Sequence, residues 1–143
     1  MTRIVVVDDD PSILSLMGAM AADRGWEVVP STDSATFFAA LEEERTDVLV
    51  VDLWLRVPDN GWDIVKRLKS DPATSSIPVV LCSGDVFHLH DQQAMLDRYA
   101  SAVLVKPFEI DDFYRCVEHA LSTPPPEEQE KAEGSRPTAT ETS

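Results

Sequence analysis

Five short apolar runs, rich in valine, recur along the chain at Ile4–Val7, Trp26–Pro30, Val48–Val51, Val79–Cys82 and Val103–Val105, each separated from the next by a polar or amphipathic stretch. Runs of this length suit strands buried on both faces, the situation of a parallel sheet. The stretches between them carry helical spacing. Ile13, Leu14, Leu16, Met17 and Met20 form one apolar face, Phe37, Phe38 and Leu41 a shorter one, and Ile64, Val65 and Leu68 a third. A fourth helix is predicted around Asp91–Arg98, and Ile110, Phe113, Val117, Ala120 and Leu121 mark a last one. Each parallel pair of strands needs a right-handed crossover, so five repeats of this alternation predict a doubly wound α/β domain with helices on both faces of the sheet.

Ligands in such sheets bind at the carboxyl ends of the strands. The first run ends in "DDDPS", three adjacent carboxylates. Asp10, directly before Pro11, reads as a helix N-cap with proline at the first helical position. That leaves Asp8 and Asp9, whose position suggests a bound cation or phosphoryl group. Asp52 after the third run, Ser83 after the fourth and Lys106 after the fifth fall on the same edge. Five polar groups from four strands are thereby expected at one mouth.

The 143 residues allow one domain with a sizeable core. With 26 acidic and 12 basic residues the formal net charge is −14, and no Lys/Arg cluster offsets it. Direct nucleic-acid binding, which depends on neutralising phosphates, is disfavoured. The four apolar residues before Asp8 are too few for a signal core or a membrane span, so a cytoplasmic protein is expected. Cys82 and Cys116 belong to no metal or redox spacing and read as buried free thiols. His88 and His90 read as a solvated helix start rather than a metal pair. After Ser122 the composition turns to an acidic Pro/Glu/Thr/Ser-rich tail over 123–143, expected to be disordered.

"VVVDDDPS", "VLVVDLWL", "VVLCSGD" and "VLVKPF" occur in that order, each at the end of an expected strand. In these four motifs residues 3–121 resemble the receiver domain of two-component response regulators. The resemblance implies a flavodoxin-like sheet of order 2-1-3-4-5 over a domain of residues 1–122. It implies that Asp52 accepts a phosphoryl group as an aspartyl phosphate, from a histidine kinase or phosphotransfer protein, in a Mg²⁺-dependent reaction. Asp9 and Asp52 would ligate the ion, Asp8 would hold it through water, and the Trp54 carbonyl would complete the protein ligands. Lys106 would neutralise phosphoryl oxygens and Ser83 would bond the phosphoryl group and report it. A cis Lys106–Pro107 bond is also implied. Such a protein is not an enzyme with a separate substrate; it assists its own phosphorylation and dephosphorylation. With no output domain expected, it would signal by protein contact.

Two departures from that family stand out. In "DLWLRVPDNGWD" Pro58 lies six residues after Asp52 and Gly61 nine after, so the loop is one residue longer than usual and Asn60 replaces an acid. Val103 stands where the family carries a switch aromatic. These departures are what a phosphorylation-independent receiver-like adaptor, the alternative reading, would rest on.

Overall fold

The computed structural model describes residues 1–55, 60–84 and 93–122. Strands and helices alternate as β1 (Arg3–Val7), α1 (Pro11–Ala22), β2 (Glu27–Ser31), α2 (Ser34–Glu43), β3 (Val48–Asp52), α3 (Gly61–Ser70), β4 (Val79–Ser83), α4 (Gln93–Tyr99), β5 (Ala102–Val105) and α5 (Ile110–Ser122). The five strands form one parallel sheet in the order β2-β1-β3-β4-β5. The expected architecture and strand order are therefore observed.

Successive strand side chains point to opposite faces, which explains why β1, β3 and β4 read as unbroken apolar runs. Ile4 and Val6 of β1 and Val50 of β3 pack with Leu14 and Met17 of α1 and with Phe113 and Val117 of α5. Val5, Val7, Leu49 and Val51 face the other way, onto Phe37 of α2, Ile64 and Leu68 of α3 and Leu96 of α4. Two apolar layers thus hold the sheet rigid from both sides and leave its strand ends for polar chemistry.

Several boundaries differ from the sequence expectation. The second strand runs Glu27–Ser31 rather than starting at Trp26. Trp26 instead packs edge-to-face on Tyr114, with ring centroids 5.7 Å apart. The turn that releases it from α1 passes through Gly25 at φ +70°, a left-handed conformation that glycine adopts without a Cβ penalty. Pro30 is tolerated in β2 because that strand pairs only with β1 and lies at the sheet edge. Helix α4 is described over Gln93–Tyr99; Asp91, His88 and His90, where the sequence expected its start, lie outside the described residues, as do Pro58 and the 123–143 tail.

Both cysteines are free and buried. Burial pushes their thiols up, Cys116 to about 12, which keeps them unreactive near neutrality. No helix among the described residues is long and apolar enough to cross a membrane.

Candidate functional site

The Asp8–Asp10 run is resolved into three different environments. Beyond the end of β1, the Asp8 N–H donates to the Ser31 carbonyl at 3.0 Å, and the Ser31 hydroxyl donates to the Val6 carbonyl at 2.6 Å. The β1–β2 pairing is thereby extended past the strand and fixes the Asp8 backbone. Its carboxylate is 1% exposed. One oxygen, Oδ1, accepts the Asp10 N–H at 2.9 Å, and Oδ2 accepts the Lys106 ammonium at 2.8 Å. Asp9 is exposed. Asp10 caps α1 as expected, its side chain accepting the Ser12 N–H at 2.9 Å with Pro11 opening the helix.

Asp52 is the last residue of β3 and is 3% exposed. Its Oδ1 accepts the Trp54 N–H at 3.0 Å, whereas Oδ2 stands 3.7 Å from the Lys106 Nζ. Burial pushes the Asp52 carboxyl above its ordinary range, and the negative charges of Asp8 and Asp9 add to that; the Trp54 N–H and Lys106 pull the other way without cancelling it. For Lys106 burial alone favours the neutral amine. The hydrogen bond that the ammonium donates to Asp8 and the negative charges of Asp52 and Asp8 outweigh that and hold Lys106 above its ordinary value.

Lys106 reaches this point because β4 and β5 run in register, Ser83 opposite Val105. The Lys106 N–H then donates to the Ser83 carbonyl at 2.8 Å. Ser83 is fully buried at the end of β4. The Lys106–Pro107 bond is cis, as the resemblance implied. Trp54, by contrast, is 48% exposed, following the buried Asp52 and Leu53 in the chain. The expected mouth therefore exists, with Asp8, Asp9, Asp52 and Lys106 gathered by side chain and Ser83 by its strand.

One carboxylate oxygen each from Asp8, Asp9 and Asp52 lie within 4.8 Å of one another. These are hard oxygen donors, the type that Mg²⁺ takes. Among the described residues three carboxylates face one ammonium, which leaves two negative charges, the charge of one divalent cation. The residues present fit such an ion.

Residues 4–118 match the family model of the response regulator receiver domain. The chain belongs to that family. It is 33% identical over 123 residues to the regulatory protein VirG of Rhizobium radiobacter, covering 86% of this chain and 45% of that protein. To the DNA-binding dual master transcriptional regulator RpaA of Synechocystis it is 30% identical over 121 residues, 85% of this chain and 49% of that protein. The chain spans about half the length of these curated relatives. The crystal structure of the receiver domain of NtrX from Brucella abortus superposes with a TM-score of 0.76 at 27% identity, over 84% of this chain and 98% of that one.

Within this receiver two residues matter more than their sequence signal suggested. Gly61 opens α3, and a Cβ on it would lie 2.4 Å from the Asp52 carbonyl oxygen and 2.5 Å from the Leu53 Cα. The helix is pressed onto the backbone that presents Asp52, and only glycine permits it. Asn60, where the family has an acid, caps the same helix: its side chain accepts the Asp63 N–H at 2.9 Å, and Asp63 accepts the Asn60 N–H in return. The substitution leaves the helix start intact. Gly84 differs from Gly61 in its surroundings. A Cβ there would meet Lys106 Cβ at 3.7 Å, an ordinary contact, so among the described residues it is not a steric necessity. Val103 is buried opposite Leu81, in the core layer that holds Leu96 of α4 and Ala100, the residue after that helix.

Proposed function

We propose that this receiver accepts a phosphoryl group on Asp52 from a histidine kinase or phosphotransfer protein and signals by protein contact in the cytoplasm. The observation that carries the reading is the charge imbalance at the site: among the described residues, Asp52 is buried beside Asp8 with one lysine for both. A buried carboxylate left without sufficient counter-charge is costly in a merely structural role. It suits a site that gains positive charge when it works, and this favours the phosphoacceptor over the adaptor.

An Asp52 carboxylate oxygen attacks the phosphorus, the bond from phosphorus to the donor histidine nitrogen breaks, and the imidazole leaves. The Trp54 N–H holds the other carboxylate oxygen and orients the nucleophile. Asp9, Asp52 and the Trp54 carbonyl, with Asp8 through water, would hold Mg²⁺, which when bound would supply charge neutralisation for the phosphoryl oxygens. The Lys106 ammonium adds to that neutralisation, and the Ser83 hydroxyl bonds the phosphoryl group once it is on Asp52. The same groups then assist hydrolysis of the aspartyl phosphate. The net charge of −14 favours protein over nucleic-acid targets.

Incubation with acetyl phosphate and Mg²⁺ should add one phosphoryl group to the wild type, by intact mass, and none to Asp52→Ala. Phosphate mapped to Asp9 or Ser83 overturns the assignment.

A further inference from the structure

The pairing of Lys106 bears on how the same site takes its ion, and it rests on the reading that a divalent cation binds there. The ammonium makes its short contact with Asp8, at 2.8 Å, and stands 3.7 Å from Asp52. The second Asp8 oxygen is already taken by the Asp10 N–H. Asp8 is nearly inaccessible, so its two oxygens have little water to exchange for a new partner. A divalent ion arriving among Asp8, Asp9 and Asp52 therefore meets a fixed positive charge on one of its three carboxylates. At this range and in a partly buried site, two cations sharing a carboxylate repel strongly.

We infer that Lys106 is a tethered cation that competes with the divalent ion through Asp8, lowering the cation affinity of the resting site, and that ion binding loosens the Lys106–Asp8 pair and shifts the ammonium towards Asp52. The shift needs no movement of the main chain. The Lys106 N–H stays on the Ser83 carbonyl, and both carboxylates already lie within 4 Å of the same Nζ. Linkage makes the effect reciprocal: the pair weakens ion binding by the factor by which the ion weakens the pair. Cation uptake and delivery of the lysine to the acceptor become one event.

Calorimetric titration with MgCl₂ near neutral pH tests this without any phosphoryl transfer, on proteins whose folding is verified by circular dichroism. Lys106→Gln keeps a donor for Asp8 and removes the charge; Lys106→Met removes both and serves if the glutamine variant does not fold. Either should bind Mg²⁺ about tenfold or more tightly than the wild type. Asp8→Asn should bind more weakly, and adding Lys106→Gln to it should recover clearly less than that gain. Wild-type affinity or weaker in the lysine variants overturns the competition while leaving the metal reading intact. An undiminished gain in the Asp8→Asn background overturns the route through Asp8. Absence of Mg²⁺ uptake by every protein, the lysine variants included, overturns the metal reading and the inference together.

Discussion

Strand β1 has a buried charge at each end, and the two are treated differently. At its start Arg3 is 5% exposed. Its guanidinium donates to the Glu44 carbonyl and the Thr46 hydroxyl at 3.0 Å each and to the Ala40 carbonyl at 3.2 Å. The carboxylates of Glu27 and Glu44 stand 3.7 Å away. Because Ala40 and Glu44 sit at the end of α2, the cation also meets the negative end of a helix. Just beyond the other end of β1, Asp8 and, across the sheet, Asp52 are equally buried, yet among the described residues a single ammonium answers both. Burial alone therefore does not mark a working site. What separates the two ends is whether the protein supplies the whole counter-charge itself.

Removing the compensated charge should have the largest effect. Arg3→Met leaves buried acceptors at Ala40, Glu44 and Thr46 without their donor, and should cost about 3 kcal/mol in urea unfolding while Mg²⁺ binding stays near wild type. A loss under about 1 kcal/mol would mean that the amino-terminal end is no better compensated than the other. Next comes Gly61→Ala, in which the new methyl must push α3 off the Asp52 backbone. A loss of roughly 2 kcal/mol is expected, together with slower phosphorylation by acetyl phosphate; unchanged kinetics would show that the acceptor's position does not depend on that contact.

Asp10→Ala sharpens the comparison within the acidic run. Asp10 sits at the carboxyl end but does capping work, so its loss should cost about 1 kcal/mol and change Mg²⁺ affinity little, since the backbone N–H that serves Asp8 remains. The smallest effect carries the opposite sign. The folded state holds the Asp52 proton more tightly than the unfolded chain does, so Asp52 lowers stability progressively as the pH rises above the ordinary 3.8, and in full above its raised value. Asp52→Asn should therefore raise the melting temperature of the metal-free protein at neutral pH. That advantage should shrink as the pH falls through the raised value and vanish below the ordinary 3.8. Thermal melts across this range decide it: no gain at neutral pH would show Asp52 to be as well compensated as Arg3.

The difference between the two ends is not visible in the sequence. Arg3 opens an apolar run and looks like any charged residue before a strand; its partners lie about forty positions away and meet it only when α2 packs beside β1. Gly61 is similarly silent, because its close approach to the Asp52 carbonyl exists only in three dimensions. In the same way the altered loop after Asp52 reads as a change of shape, while the cap made by Asn60 emerges from the helix it starts.

By contrast, the alternation of Val-rich runs with helical periods was sufficient by itself to determine the doubly wound sheet, since a strand buried on both faces and a half-buried helix each have their own local period. The strand-end rule then placed Asp8, Asp9, Asp52, Ser83 and Lys106 on one edge, and the cap at Asp10 needed only its neighbour Pro11. Which carboxylate holds the lysine was left to the tertiary structure. The 2.8 Å contact to Asp8 and the 3.7 Å separation from Asp52 follow from the register of β5 on β4 and of β1 on β3, and a difference of under an ångström between two acids on the same edge has no counterpart in residue order.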